Sequence, residues 1–236
     1  MGDELSRKSF LAAIKGWVSG QLKDYIYAAE PQYMLHGFMP AAGDVVIDGG
    51  SFDGATALDF ASLGSDVYSF EMDGANYEVV KSNSENGLFT PINMGLYSCR
   101  TQARYSSCDT GSCLADDGLP CELIDIDTFS KENHISKINY IKLDVEGAEL
   151  ETLRGAFGSI AKYKPKMAIS VYHKPEDLFA IPLYISSIRD DYVYSFRNYR
   201  IDVRNYGLTS NEREYMNKYN LSLQMQTHHE KILYCK

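Results

Sequence analysis

Between Gly43 and Gly49 the chain places Val45, Val46 and Ile47, and it then reads Asp48-Gly49-Gly50-Ser51-Phe52-Asp53-Gly54. Few folds accept that order. A short β-branched run bounded by glycines suits a central parallel strand buried on both faces. Gly49, Gly50 and Gly54 then permit a tight turn in which backbone approaches a ligand where a Cβ would collide, and a helix begins near Ala55. A strand, turn and helix in that sequence, repeated downstream, commit the chain to an α/β architecture with ligands at the carboxyl ends of the strands.

The turn is not the dinucleotide fingerprint. A G-x-G-x-x-G frame opened at Gly49 meets Ser51, and one opened at Gly50 meets Phe52. The pattern is acid-x-Gly-x-x-x-Gly instead. An acid at the base of the turn repels a pyrophosphate but tolerates a cationic or neutral adenosyl group, and S-adenosylmethionine fits that description. The plainer reading is a buried strand followed by an incidental glycine turn.

Residues 66–71 alternate like a second strand ending in Glu71, 23 residues after Asp48, the offset at which nucleotide-binding α/β units place a carboxylate on ribose hydroxyls. A helix over 76–86 and a third strand over 91–97, containing Asn93, follow; 100–117 reads as a hairpin or excursion. Residues 121–129 alternate apolar and acidic ahead of a helix from about 128, and 138–144 form a strand ending in Asp144. A helix over 145–157 carries Glu146 and Glu149 in its first turn, where acids complement the helix dipole. Residues 166–172 make a strand ending beside His173, 181–189 a helix after Pro182, and 192–197 and 231–235 the last two strands. Asp48, Glu71, Asp144 and His173 thus sit at four strand ends facing one crevice, which packing alone does not require.

Upstream, apolar residues at a helical period over 5–27 predict one or two helices, and 30–39 a loop or short helix that packs on the sheet or helps cover the site. The expected division is a helical extension over 1–40 and one catalytic-sized domain over 41–236. A net charge of −9 disfavours nucleic acid and anionic membrane. No stretch of about 18 apolar residues occurs, so neither a signal peptide nor a spanning helix is expected. Five cysteines without a C-x-x-C pair suggest neither a disulfide framework nor a zinc site, and a reduced, cytoplasmic protein is the simplest expectation.

Residues 141–151, Ile-Lys-Leu-Asp-Val-Glu-Gly-Ala-Glu-Leu-Glu, resemble the signature of the FkbM family of S-adenosylmethionine-dependent methyltransferases. The glycine turn, the Ser-Phe-Glu strand end at 69–71, Ile-Asp-Thr-Phe at 126–129 and Tyr-His-Lys-Pro-Glu-Asp-Leu at 172–178 follow in the family's order, so the resemblance spans 43–183. Two departures stand out: Glu71-Met72 where many relatives have Glu-Pro, and Ile126-Asp127-Thr128 in place of Leu-Asp-Asp. The resemblance implies a Rossmann-like class I methyltransferase fold, an α/β design with a seven-stranded, mostly parallel sheet, an antiparallel last strand and N-terminal helices. It implies O-methylation of a hydroxyl on a sugar, glycan or glycosylated natural product. The alternatives are an NAD- or nucleotide-sugar-linked oxidoreductase, which the absent fingerprint counts against, and a non-catalytic cofactor-binding scaffold.

The cofactor set that follows is Asp48, Gly49, Gly50, Ser51, Asp53, Gly54, Glu71, Met72, Asn93 and Asp125, with Glu71 on the ribose and Asp125 or Asp127 near the adenine amine. The catalytic set is His173, Asp144 and Lys142. His173, with an ordinary pKa of about 6.5, is expected to be a neutral general base. Asp144 would bind the acceptor, orient the methionine amine or ligate a metal, and Lys142 is either a desolvated base or paired with a carboxylate. Two ligands, Asp144 and His173, are thin ground for a divalent metal, so none is assigned and activity is expected to survive chelation. His36 and His134 show no partners, and His228-His229 read as surface. Tyrosines over 184–219, with Arg189, Arg197, Arg200 and Arg204, would stack on a sugar ring or serve as core. A homo-oligomer is left open.

Overall fold

A computed structural model of the chain describes residues 2–21, 24–84, 87–108, 111–200 and 229–236, the side chains of Cys108, Arg200 and His229 excepted. His228 and the tyrosines and arginines of 201–228 lie outside the described residues. In chain order the elements are α1 (Glu4–Ser19), β1 (Val45–Gly49), α2 (Ala55–Ser62), β2 (Asp66–Phe70), α3 (Gly74–Asn83), β3 (Thr90–Ile92), β4 (Gly95–Leu96), β5 (Thr101–Cys108) and β6 (Gly111–Leu114). They continue with β7 (Leu119–Ile124), α4 (Ile126–Glu132), β8 (Tyr140–Leu143), α5 (Glu149–Arg154), α6 (Phe157–Tyr163), β9 (Lys166–Ser170), α7 (Asp177–Ile188), β10 (Tyr194–Arg200) and β11 (His229–Cys235).

Seven strands form one sheet in the order β10-β11-β9-β8-β1-β2-β3. All run parallel except β11, which is antiparallel to both β9 and β10. This is the sheet expected from the sequence. Connectivity leaves β1 toward β2 on one side and meets β8 on the other, so the strand order reverses at β1 and opens the crevice where such sheets bind ligands.

Alternation along the central strands divides the core. Ile47, Ile141 and Ile169 pack in one apolar cluster with Leu153, Ile160 and Ile181 of α5, α6 and α7, while Val46, Tyr140 and Ala168 pack in another with Phe60 and Val80 of α2 and α3. The second face is the one that ends in charge, because Asp48 follows Val46 by two residues and Lys142 and Asp144 follow Tyr140 by two and four.

Three carboxylates start helices. Asp3 accepts from Ser6 N at the start of α1, Asp73 from Ala75 N and Asn76 N at α3, and Asp125 from Thr128 N at α4. Among the described residues no helix is long and apolar enough to cross a membrane.

Three elements differ from the expectation. The strand read over 91–97 is two short strands in different sheets, since β4 leaves the main sheet to join β7, β5 and β6 in a separate four-stranded sheet. The 100–117 region is a hairpin, as one of its two readings had it, with β5 and β6 antiparallel. The helix read over 145–157 begins only at Glu149, because Glu146 and Gly147 hold φ of +51° and +92°, which no α-helix contains. Pro182 lies inside α7, which starts at Asp177, ahead of the start read at Ile181.

Candidate active site

A cleft of about 490 Å³ lies at the carboxyl ends of β1, β2, β8 and β9, within the usual range for small-molecule sites. Of the residues singled out in the sequence, Gly50, Ser51, Asp53, Glu71, Met72, Lys142, Asp144 and His173 line it. Tyr33 and Gln32 from the segment before β1, Ser112 from β6, and Glu230 from β11 line it too.

Asp48 is not on the cleft surface. It is fully buried beneath the turn, where Oδ1 lies 3.1 Å from Lys142 Nζ and Oδ2 accepts from Ser69 Oγ at 2.7 Å. The two are direct cross-strand partners in the β1–β8 register. Lys142 Nζ also donates to the carbonyls of Gly49 at 3.1 Å and Gly50 at 2.6 Å. Burial alone would depress this ammonium, but Asp48 and then Asp144 outweigh it and hold the pKa above its ordinary value. Lys142 as a desolvated base is therefore corrected: it is a permanent cation that pins the turn.

Four further residues of the cofactor set lie off the cleft. Gly54 starts α2 at φ +81°. Asn93 Nδ2 donates to the Glu71 carbonyl at 2.9 Å, holding the chain from behind. Asp125 caps α4 and is buried. Gly49 ends β1 where an added Cβ would press on Leu96 and Leu143. Asp127, the other adenine candidate, accepts from Gly158 N and Ser159 N and ties α4 to α6.

Glu71 sits in the cleft wall with both oxygens already engaged once: Oε2 accepts from Phe52 N at 2.8 Å and Oε1 from Asp73 N at 2.9 Å. Burial raises its pKa. Each oxygen keeps a further lone pair for a ligand hydroxyl.

On the other wall Asp144 accepts from the Tyr33 hydroxyl at Oδ2, 2.8 Å, and from the Tyr172 hydroxyl at Oδ1, 3.0 Å. His173 Nε2 lies 3.6 Å from Asp144 Oδ1 and 3.4 Å from Glu146 Oε2, while Nδ1 is 2.8 Å from Oε1 of the fully buried Glu149. Burial would lower the imidazole's pKa, but the Glu149 hydrogen bond and the charges of Glu149, Asp144 and Glu146 raise it to about 9. The expectation of a neutral His173 is corrected accordingly: with nothing else bound, this imidazole is protonated at neutral pH and is no free base. Burial and then Asp144 push Glu230 up to about 7, and its carboxylate accepts from Gln32 Nε2.

A family model for the methyltransferase FkbM domain matches residues 50–201. The chain belongs to the FkbM methyltransferase family. Among solved structures, an FkbM methyltransferase from Methylobacillus flagellatus KT superposes with a TM-score of 0.73 at 21% identity, covering 100% of this chain and 56% of its own. This chain thus spans little more than half of that protein, and the likeness establishes the fold. The precorrin-6y C5,15-methyltransferase of Geobacter metallireducens GS-15 gives 0.49 at 7% identity over 89% of this chain and 93% of its own. A Streptococcus mutans protein solved in complex with SAH gives 0.44 at 10% identity over 83% and 90%, and both are too distant to bear on function. No curated protein matches the chain.

The FkbM domain accounts for the cleft's turn side, but Tyr33, Gln32 and Glu230 fall outside the matched residues. No local motif marks them. The only sequence signal was the aromatic segment ahead of β1.

Proposed function

We propose that this FkbM methyltransferase carries a methyl group from S-adenosylmethionine to a hydroxyl of a sugar, glycan or glycosylated natural product. The observation that carries the reading is one cleft that joins a ribose-type carboxylate, Glu71, and a backbone turn without side chains at Gly50 to a cluster of proton-handling groups around Asp144. The residues fit the cofactor: the turn at Gly50 and Ser51 lines the cleft beside Glu71, and each Glu71 oxygen keeps a lone pair for a ligand hydroxyl. The bound cofactor supplies an activated methyl on a sulfonium, and the chain's part is alignment and relief of the acceptor's proton. Asp48 and Lys142 hold the turn, Asp144 and His173 gather the acceptor hydroxyl, and the segment over 1–40 completes the acceptor side through Gln32 and Tyr33.

Calorimetric titration with S-adenosylhomocysteine and with NAD tests the cofactor, and binding of NAD with none of S-adenosylhomocysteine overturns the reading. Release of S-adenosylhomocysteine across a panel of sugar acceptors tests the substrate class. Glu71→Gln keeps the shape but loses the charge, and a charged acceptor is worth about 1–2 kcal/mol more than a neutral one, so affinity for S-adenosylhomocysteine should fall roughly five- to thirtyfold. Unchanged affinity means that Glu71 does not hold the ribose.

Glu230, rather than His173, is the group matched to take the proton, since general bases work best when their pKa lies near the working pH. Its pKa of about 7 makes the wild-type rate rise as pH passes through that value and the carboxylate forms. Glu230→Gln should lower the rate by roughly 10²–10⁴ and remove that rise. A variant that keeps the pH limb assigns the proton to another group.

A further inference from the structure

We propose that the cleft of this chain binds a divalent cation between His173 Nε2, Asp144 Oδ1 and Glu146 Oε2, with Glu149 as the residue that aims the imidazole. The sequence offered two candidate ligands, and the fold brings two more carboxylates to them.

Nε2 is the atom that singles out the place. The His173 side chain is 10% exposed, and Nε2 has no hydrogen-bond partner although it points between two carboxylates. Nδ1 is taken by Glu149 Oε1, which also accepts from Val145 N at 3.0 Å and so cannot swing away. A carboxylate on one ring nitrogen, with the other buried between two further carboxylates, is an arrangement that orients a histidine for a metal. Asp144 is supported in the same way by Tyr33 and Tyr172.

The spacing agrees. Ligand bonds of about 2.0–2.2 Å in a tetrahedral site put ligand atoms roughly 3.3–3.6 Å apart. Nε2 stands 3.4 Å from Glu146 Oε2 and 3.6 Å from Asp144 Oδ1. Glu146 reaches the group only because its own φ of +51° and that of Gly147, +92°, turn the chain back before α5 starts. Lys142, the buried cation nearby, is committed to Asp48, Gly49 and Gly50. One nitrogen and two oxygens suit manganese or zinc better than magnesium, which prefers an all-oxygen shell, and three protein ligands leave a position open. His173, Asp144 and Glu146 all line the cleft, where a Lewis acid would polarise an acceptor hydroxyl, a consequence that alone rests on the proposed methyl transfer.

The test uses Mn²⁺ alone with the full chain after chelator treatment, so it needs neither cofactor nor acceptor. Titration followed by the loss of the free Mn²⁺ resonance should show one site, and the bound ion's spin-echo spectrum should carry ¹⁴N modulation from an imidazole. Glu146→Gln, whose side chain is 36% exposed and cheap to change, should weaken binding at least tenfold in a protein that melts like wild type. His173→Gln, which can still donate to Glu149, should remove the ¹⁴N signature, and Glu149→Gln should weaken binding by about 10–100-fold without abolishing it. Absence of Mn²⁺ binding at millimolar concentration, or binding that both Glu146→Gln and His173→Gln leave unchanged, overturns the site. A chain that binds Mn²⁺ through His173 yet methylates no sugar overturns the acceptor and leaves the metal site standing.

Discussion

Lys142→Met is expected to destabilise the protein by about 3–5 kcal/mol, the cost of leaving a buried charge without its partner. Lys142 and Asp48 are 2% and 0% exposed, so water cannot replace the missing ammonium. For a chain of this size each kcal/mol moves Tm by about 2–4 °C, which predicts a fall of roughly 10 °C in a thermal melt. Affinity for S-adenosylhomocysteine should fall as well, because the carbonyls of Gly49 and Gly50 lose the donor that fixes the turn. The double variant Asp48→Asn/Lys142→Met should recover most of the stability, since the amide oxygen that replaces the Asp48 carboxylate would still accept from Ser69 and no net charge would remain buried. A single variant that melts like wild type but loses an ionisation from its pH–rate profile would restore Lys142 as a base.

The same pair shows what the sequence made legible. Strand ends were readable because β-branched runs such as Val45-Val46-Ile47 stop at an acid or a glycine. That Asp48 would turn inward to Lys142 was not readable, because it depends on β8 lying beside β1, a pairing 94 residues apart at Asp48 and Lys142. The second sheet was hidden for a similar reason. Thr90–Ile92 and Gly95–Leu96 look like one strand until Asn93 turns away to bind the Glu71 carbonyl and the chain changes partners. Glu146 and Glu149 matched a helix start by composition, yet the left-handed pair Glu146-Gly147 sends one to His173 Nε2 and leaves the other in the first turn holding Nδ1. Tyr33 and Glu230 come from opposite ends of the chain and meet only in the cleft.

Gly50→Ala is expected to be the most damaging single change in the turn, and Gly54→Ala shows why. Both glycines hold left-handed backbone, φ +77° and +81°, so an alanine at either costs about 1–2 kcal/mol from its own geometry. At Gly54 the added Cβ would approach Phe89 Cζ at 3.2 Å, and a ring edge can give by a few tenths of an ångström. At Gly50 the Cβ would fall on the Asp144 carbonyl oxygen, far inside the 3.0 Å that real Cβ atoms keep. Backbone meets backbone there, and no rotamer relieves it. The turn cannot retreat either, since Gly50 N donates to the Phe70 carbonyl at 3.1 Å and its own carbonyl accepts from Lys142. The strain must therefore part β1 from β8 and carry Asp144 away from Tyr33 and Tyr172, which spoils both walls of the cleft. Urea unfolding should show Gly54→Ala losing about 1–2 kcal/mol and Gly50→Ala losing more than about 4 kcal/mol, a size reserved for breaches of the core. Calorimetry should find S-adenosylhomocysteine binding kept in the first and lost in the second. Equal costs at the two positions would mean that the turn needs only its left-handed backbone, and that the close approach to Asp144 does not hold the cleft together.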